Sequence, residues 1–522
     1  MDTERVMQDS HNGSTRRRRT REPRRQLATL EQLDWSLPSY TDQPIEPLDS
    51  DGLERIHNAA MRILEEIGIT FLHPKARSLL KEAGCDVNEK TECVRMDRVF
   101  VMEQVAKAPA SFKLVPRNPA RSIIWGGRHF TFGPVASPPN VSDLDGGRRV
   151  GNRVDYQNLL RLSQTFNCLH FSAGYPVEPV DLHASTRHLH AFYDLLTLTD
   201  KITHAYSLGT ERIEDAMEMV RIAAGVSVEE FDSTARMYTN INSSSPLKHD
   251  WPMLDGAMRM AARGQPVVVA PFTLAGAMAP VTLAGALAQQ TAEALSAIAL
   301  LQVVRPGAPC VFGAFTSNVD MKSGAPAFGT PEYVRAMQIS GQLARRYHLP
   351  WRGSNANACN TPDAQATWES MFSLWGVTTG QANMVKHGAG WLEGGLTASF
   401  EKLVIDCEML QQFIYYQKPI GTTDEDLAVD AIAEVGPNGH FLGCEHTRER
   451  YQTAFYSPFL SDWRNFESWQ LDGGKDAVQR ANTLYKRLLD EYVPPPIDEA
   501  IREELTEFVD RRCREGGAKT DF

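Results

Sequence analysis

The stretch that decides the fold runs from Gly264 to Arg305 and reads GQPVVVAPFTLAGAMAPVTLAGALAQQTAEALSAIALLQVVR. Its opening run, Pro266 to Ala270, is apolar and β-branched, a pattern typical of a buried strand. Pro271 to Gly285 is too rich in Gly and Pro for a helix, and from Ala286 an apolar helix is predicted to reach Arg305. A second buried strand, Pro309 to Phe315, follows at once. This order predicts a right-handed crossover in a parallel sheet, with a glycine-rich loop where a ligand could approach the backbone.

The same alternation of a short apolar strand with a helical pattern occurs eight times between residues 121 and 415. Eight such units predict an α/β fold, a (β/α)8 TIM barrel with helical N-terminal and C-terminal extensions. The alternative, a doubly wound open sheet, more often carries a phosphate loop, and neither GxGxxG after a strand nor a Walker-type loop is present. The predicted strands are His129–Pro134, Leu169–Tyr175, Ile202–Ser207, Tyr238–Asn242, Val267–Phe272, Val311–Thr316, His348–Gly353 and Ala382–His387. The predicted helices cover 155–166, 186–199, 211–224, 252–263, 286–305, 331–347, 363–380 and 397–415.

Three regions flank the predicted barrel at 121–415. Residues 1–48 hold Arg16 to Arg19, followed by Arg21, Arg24 and Arg25, and are predicted to be a basic, disordered tail. No apolar segment follows these arginines, which argues against an export signal; an arm that docks on an acidic partner is the second interpretation. Residues 49–120 are predicted to be a helical N-terminal region, with a first helix capped by Asp51 and ending at Gly68 and others at 74–83 and 96–108. Residues 416–522 are predicted to be a helical C-terminal extension.

The composition excludes several classes of protein. A net charge of -11 and a pI near 5.7 argue against a nucleic-acid binder. Eight cysteines without a CxxC pair indicate neither a disulfide framework nor a zinc site, and favour a reducing, cytoplasmic location. The nearest approach to a membrane span, 275–301, is interrupted by Gln289, Gln290 and Glu293, so no membrane association is predicted.

In a barrel the active site lies at the carboxyl ends of the strands. The residues predicted there are rich in aromatics and poor in acids, which suits a quaternary ammonium ion held by cation–π attraction of roughly 0.5–2 kcal/mol per contact. Arg352 could pair with a carboxylate on the same ligand, so the set suits a betaine. Any one aromatic alone is better explained by packing. The predicted substrate-binding residues are Phe315, Trp351, Arg352, Trp391, Tyr206, Phe272, Asn318 and Asp320.

Three residues are predicted to be catalytic: His387, Glu393 and Asn355. His387 could donate a hydrogen bond to a substrate carboxylate or to an axial ligand, and a structural role is the open alternative. Glu393 could orient His387 or neutralise a cation. No GxSxG, no HExxH and no cysteine beside a base is present, which favours a reaction whose hard chemistry comes from a cofactor. No metal site is predicted, since His183, His188 and His190 resemble a metal pair only weakly.

Several long stretches resemble the trimethylamine methyltransferase family, the corrinoid-linked methyltransferases. The stretches are 133–145, 253–261, 264–280, 313–332, 363–366 and 388–395, and the resemblance runs from about residue 50 to about 490. It implies a (β/α)8 barrel that transfers a methyl group from a methylated amine to the cobalt of a separate corrinoid protein docked over the barrel mouth. The cobalamin then belongs to this partner, and the chain itself is expected to hold no tightly bound cofactor.

The chain departs from the family's archaeal members in one respect. Those members use pyrrolysine to activate trimethylamine, whereas this chain has only the standard twenty residues; Gly353 to Asn357 is the expected place of that residue. Members without pyrrolysine include enzymes for quaternary amines such as glycine betaine. A quaternary nitrogen needs no activation because it leaves as a neutral tertiary amine, so cobalt(I) could displace it in line and the barrel would act by orientation.

The hypothesis from the sequence is therefore a methyltransferase that moves a methyl group from a quaternary amine, such as glycine betaine, to the cobalt of a corrinoid protein. In it, the five predicted aromatics form the cage, Arg352 and His387 bind the carboxylate, and Asn318 and Asp320 position the ammonium or line the corrinoid entry. One alternative is the same barrel acting on trimethylamine or another donor, or with tetrahydrofolate as acceptor. Another is a non-catalytic protein that binds methylated amines. A homo-oligomer is left open.

Overall fold

The computed structural model describes residues 30–519 and shows a mixed α/β fold around a curled sheet of seven parallel strands. The strands are β1 (Thr131–Phe132), β2 (Thr203–Tyr206), β3 (Met237–Ile241), β4 (Val267–Val269), β5 (Cys310–Gly313), β6 (Trp351–Ser354) and β7 (Met384–Lys386). Their order in the sheet is β1-β7-β6-β5-β4-β3-β2, and every neighbouring pair is parallel. Seven of the eight predicted strands are confirmed.

The second predicted strand, Leu169–Tyr175, is reduced to an isolated bridge between Phe171 and Ile202. The backbone N–H of Ser172 donates to Ile202 O at 2.8 Å, and that of His170 donates to Phe132 O at 2.7 Å. The segment thus bonds to both edge strands, β1 and β2. Its pairing stops early because Gly174 has a φ of +133° and Pro176 has no N–H to donate.

All eight predicted helices are present, each with ends within three residues of the prediction. Most of them begin after an Asn, Asp, Thr or Ser side chain that accepts a hydrogen bond from the first turn, which fixes where each helix starts. They are α1 (Arg153–Thr165), α2 (Arg187–Leu198), α3 (Thr210–Ala224), α4 (Trp251–Ala262), α5 (Leu283–Val304), α6 (Pro331–Arg346), α7 (Ala364–Thr379) and α8 (Phe400–Tyr416).

Helix α5 is largely apolar around its whole circumference because other elements pack around it. It packs against the sheet and its neighbours α4 and α6, and on its outer face against helices Ser50–Arg62 and Arg98–Val105. It is long and apolar enough to cross a membrane by length and composition, yet most of it is buried inside the protein. Its composition is therefore that of a central core helix.

The N-terminal region contains the three predicted helices, at Ser50–Arg62, Pro74–Glu82 and Arg98–Val105. The first continues through a π-helical turn, Ile63–Ile67, to Gly68, and its cap is Asp49 rather than the predicted Asp51. The region also carries strands that the sequence did not predict. Ile69–Phe71, Asp86–Asn88 and Cys93–Arg95 form a sheet with Lys248–His249, and Ser111–Leu114 pairs with Ile123–Gly126.

The hairpin Ser111–Leu114/Ile123–Gly126 fills the amino-terminal end of the sheet's interior. Its Trp125 ring packs edge-on against Phe171 at 5.8 Å and Tyr238 at 5.0 Å, in a buried cluster that includes Val268 and Met384. The open end of the curled sheet is therefore the carboxyl end of the strands, where an active site is expected.

The remaining elements are small sheets and the helices of the C-terminal region. Small sheets are formed by Asn140–Asp143, Gly147–Val150, Trp391–Leu392 and Thr397–Ser399, and by Leu274–Ala275, Ser317–Val319 and Pro326–Ala327. A short helix, Val228–Ser233, follows α3. The C-terminal region is helical, with Asp424–Leu427, Val429–Val435, Glu445–Arg450, Phe466–Leu471, Ala477–Asp490 and Glu499–Arg514. The arginine-rich stretch of the predicted tail lies outside the described residues.

Candidate active site

Phe315 lies at the centre of a buried cluster at the carboxyl ends of β5, β6 and β7. The Arg352 guanidinium carbon is 4.9 Å from the Phe315 ring centroid. The His387 ring lies 5.9 Å from Phe315 and 4.2 Å from Trp391, which meets Phe315 edge-on at 6.2 Å. The structure thus brings together four of the predicted site residues, each less than a tenth exposed.

Three further aromatic rings extend the cluster. Phe272, another predicted residue, is partly exposed and lies 5.0 Å from Phe315. Phe328 stacks on Phe315 at 5.5 Å, and Tyr333 lies 6.5 Å from it. Phe328 and Tyr333 were missed by the sequence analysis, because they follow a hairpin that was not predicted; Phe328 does fall inside a stretch that carries the family resemblance.

His387 is held in an unusual conformation. Its φ is +58°, in the left-handed region that non-glycine residues rarely adopt, and such strain is concentrated at functional sites. Its Nδ1 lies 3.1 Å from Ser354 Oγ. Burial first, and then the nearby Arg352, lower the pKa of His387 well below its ordinary value. The imidazole is therefore neutral and suited to hydrogen bonding rather than to carrying charge.

Asparagines from the loop after β6 hold the loop that follows His387. Asn355 Nδ2 donates to Gly388 O at 2.9 Å, and its Oδ1 is buried without a partner. Asn357 Nδ2 donates to Trp391 O at 2.8 Å, while Trp391 Nε1 donates to Asn357 O at 3.0 Å. Asn355 thus lies against the loop that follows His387, with one acceptor atom unused.

The interior of the sheet below this cluster is rich in cationic and donor groups. Arg352 donates from Nη1 to Ala314 O at 3.2 Å, and its Nε is buried without a partner. Burial lowers the pKa of Arg352 to about 10. Lys386 on β7 and His204 on β2 are also buried. Within residues 30–519, no carboxylate forms an ion pair with Arg352 or Lys386.

Lys386 and His204 were missed by the sequence analysis. Each sits in a predicted strand and forms no recognised motif with the polar residues beside it. Their burial inside a strand was the available signal, since an unpaired lysine is almost never fully buried without a functional reason.

Two predicted aromatics lie elsewhere. Trp351 precedes Arg352 on β6, so its side chain points to the opposite face, towards α7, where Nε1 donates to Gln381 O at 2.7 Å. Tyr206 at the end of β2 packs 4.8 Å from Tyr175, and its hydroxyl lies 2.7 Å from Ser137 Oγ. The described contacts place neither ring against Phe315.

Three predicted polar residues have structural partners. Glu393 pairs with Arg148 at 3.0 Å and does not contact His387. Asp320 is exposed and accepts hydrogen bonds from Lys322 and Ser323, which lowers its pKa and shapes a turn. Asn318 accepts a hydrogen bond from Thr330 Oγ1 at 3.3 Å.

His188, one of the three histidines that resemble a metal pair only weakly, has a carboxylate partner. His188 Nε2 lies 2.8 Å from Asp215 Oδ2, which also binds Arg512. Within the described chain, no group of three or more His, Cys, Asp or Glu side chains is arranged to hold a metal ion.

The family model described as trimethylamine methyltransferase (MTTB) matches residues 14–517. The chain belongs to the trimethylamine methyltransferase family. It is 36% identical over 471 residues to a glycine betaine methyltransferase of Desulfitobacterium hafniense (strain Y51), covering 90% of this chain and 98% of that relative. It is 31% identical over 473 residues to a trimethylamine methyltransferase MttB of Desulfitobacterium hafniense (strain DSM 10664 / DCB-2), covering 89% and 93%.

A solved structure, the monomethylamine methyltransferase MtmB of Methanosarcina barkeri, aligns with a TM-score of 0.46 at 10% identity and covers 89% of each chain. Membership of the trimethylamine methyltransferase family confirms the prediction that the protein is a methyltransferase. The cluster around Phe315 is then the candidate active site of that family member.

Proposed function

We propose that this member of the trimethylamine methyltransferase family moves a methyl group from a betaine to the cobalt of a separate corrinoid protein. The observation that carries the proposal is the Arg352 guanidinium, buried 4.9 Å from the Phe315 ring with no carboxylate partner among the described residues. A buried cation without an anionic partner is costly, and a ligand that brings its own carboxylate would offset that cost.

A betaine meets both halves of this site. Its carboxylate would pair with Arg352, and its trimethylammonium group would lie against the ring faces of Phe272 and Trp391, since the face of an aromatic ring attracts a cation. Trimethylamine and choline have no carboxylate and would leave Arg352 unpaired. The similarity to a glycine betaine methyltransferase at 36% identity supports the same substrate class.

The proposed chemistry needs orientation more than acid–base catalysis. Cobalt(I) of the corrinoid attacks the methyl carbon in line with the C–N bond, so a Co–C bond forms as the C–N bond breaks. The C–N electron pair stays on nitrogen, which leaves as a neutral tertiary amine, and cobalt is formally oxidised to cobalt(III). No proton moves in this step. The neutral His387 and Asn355 would therefore bind and align the substrate rather than exchange protons with it.

Methyl transfer to reduced cobalamin, followed by its visible spectrum, tests the proposal. Glycine betaine, proline betaine, carnitine, choline and trimethylamine are compared as donors, and tetrahydrofolate as an alternative acceptor. We expect one betaine to react, with no transfer from choline or trimethylamine. Transfer from trimethylamine alone would refute the proposal.

Arg352→Ala tests the carboxylate role directly. Losing one partner of a buried charge pair costs roughly 2–5 kcal/mol in binding, so the Kd for the betaine should rise by about thirtyfold or more, with little change for choline. Trp351→Phe is the matched control, since Trp351 neighbours Arg352 in sequence but faces α7. Equal losses for betaine and choline would remove Arg352 from this role.

Several wider features are part of the same proposal. The sheet is proposed to close as a (β/α)8 barrel, supported by the backbone bonds of His170 and Ser172 to the two edge strands. The chain is proposed to consist of a basic tail (1–48), a helical N-terminal region (49–120), the barrel (121–415) and a helical C-terminal extension (416–522). The corrinoid protein is proposed to dock at the carboxyl ends of the strands. The protein is proposed to work in the cytoplasm, to hold no cofactor of its own and to bind neither nucleic acid nor membrane. Self-association is left to measurement.

A further inference from the structure

Lys386 points into the sheet's interior beside the candidate active site. In the register of β6 and β7, Lys386 lies opposite Ser354, and Met384 lies opposite Arg352. Met384 belongs to the buried interior cluster with Tyr238 and Phe171. Because alternate residues of a strand share a face, Lys386 and Arg352 both point inward, towards the same space.

His204 reaches this space from β2. Its ring lies 4.9 Å from Tyr238 and 4.9 Å from Tyr206, and both of its ring nitrogens are buried without a hydrogen-bond partner. A buried imidazole that leaves both nitrogens unpaired is unfavourable, and a bound ligand would supply the missing hydrogen-bond partner. Asn240 Oδ1 is unpaired as well.

Among residues 30–519, the groups that face Lys386 include no acid. They are Arg352 and Ser354 from β6, His387 after β7 and His204 from β2. Burial first, and then Arg352, lower the pKa of Lys386 well below its ordinary value. Burial and then Lys386 lower the pKa of His204 in turn. The free protein therefore favours an uncharged Lys386, and an incoming carboxylate would favour its charged form.

We propose that Lys386 and His204 complete the carboxylate site begun by Arg352, and that binding of the ligand carboxylate is coupled to uptake of one proton by Lys386. The carboxylate then lies deep in the interior, and the ammonium group points outward to the Phe315 cluster and the mouth of the sheet. This inference rests on the proposed betaine substrate. It adds Lys386 and His204 to the residues that bind the carboxylate, and it couples substrate binding to the uptake of one proton.

The sign of the pH dependence follows from the linkage. Between the pKa of Lys386 in the free protein and its higher value in the complex, the complex holds one more proton than the free protein. Betaine affinity therefore falls as pH rises through this interval, by up to tenfold per pH unit. Choline, without a carboxylate, should show no such dependence.

Isothermal titration of the full-length protein with glycine betaine and with choline, in buffers of different ionisation enthalpy, measures the linked proton. For glycine betaine we expect the binding enthalpy to vary with the buffer, with uptake approaching one proton at a pH between the pKa of Lys386 in the free protein and its higher pKa in the complex. Lys386→Met should abolish the uptake and weaken betaine binding by ten- to a hundredfold. Lys386→Arg keeps a permanent charge, so it should bind betaine without proton uptake.

Lys248→Met is the control for removal of a lysine charge away from the site, because Lys248 is exposed on the small N-terminal sheet. His204→Phe should weaken glycine betaine more than choline. If the wild type demethylates glycine betaine but shows no buffer-dependent enthalpy, or if Lys386→Met binds it normally, this inference is wrong while the proposed function stands. If none of glycine betaine, proline betaine and carnitine binds or donates a methyl group, the proposed function fails, and the inference falls with it.

Discussion

The buried ion pair of Lys402 and Asp406 on α8 should be tested first, because it holds the active-site loop from outside. Both side chains are fully buried and in contact, one helical turn apart. Asp406 also accepts a hydrogen bond from Gly390 N at 2.8 Å, and Lys402 Nζ donates to Ser370 Oγ at 2.7 Å. Gly390 lies between His387 and Trp391 in the chain, so the pair fixes the loop that carries both rings.

The two single variants should differ in cost. Asp406→Asn keeps the shape but leaves the Lys402 ammonium buried without its anion, which costs about 3–5 kcal/mol. Lys402→Met leaves Asp406, whose pKa burial already raises, and this carboxyl can become neutral by taking a proton. The cost should then be limited to the lost hydrogen bonds, about 1–3 kcal/mol.

The double variant Lys402→Met/Asp406→Asn gives the decisive comparison. It buries no charge, and the Asn carbonyl can still accept from Gly390, so it should be more stable than Asp406→Asn alone. Urea unfolding of the four proteins measures this, and KM for the betaine reports on the loop. A double variant less stable than Asp406→Asn would refute the charge argument, and an unchanged KM in all variants would refute the positioning of the loop.

Three further predictions concern residues outside the site. Trp351→Ala should cost about 3–5 kcal/mol in unfolding free energy, as for a large core ring, while the folded variant binds betaine normally in titrations. Burial lowers the pKa of His249 from 6.5 to about 4, so stability should fall as pH drops through that interval, by up to about 3 kcal/mol, and His249→Gln should flatten this part of the pH–stability curve. Glu293 on α5 accepts hydrogen bonds from Ser243, Ser245 and Leu247 N, so Glu293→Gln should lower the melting temperature with a cost of about 1–3 kcal/mol.

The fold was largely predictable because its signals are local. Eight helices and seven strands followed from apolar runs, caps and glycine stops, each of which depends on residues a few positions apart. The small sheet of Ile69–Phe71 was missed because its strands are three residues long and pair with Lys248–His249, far along the chain. The strand at 169–175 was overpredicted because its apolar character continues past the point where Gly174 and Pro176 prevent pairing.

The aromatic, acid-poor character of the strand ends was predictable from the sequence, but only some of the residues that lie together there were. Phe315, Arg352, His387, Trp391 and Phe272 do converge, since each ends or follows a strand of one parallel sheet. Trp351 was included wrongly on geometric grounds, because the register that turns it outward and Arg352 inward cannot be read from a strand end. Glu393, Asp320 and Asn318 were placed near the ligand, and the structure gives each a different partner.

The sequence by itself determined the alternating strands and helices, the family and the aromatic, acid-poor character of the strand ends. Only the tertiary structure decided which side chains face one another across the sheet. Lys386 and His204 lie 182 residues apart, and their shared space exists only because β2 and β7 belong to one curled sheet. Local periodicity encodes the elements, whereas the meeting of cationic groups depends on the curl of the sheet, the strand register and burial, which arise when the whole chain is packed.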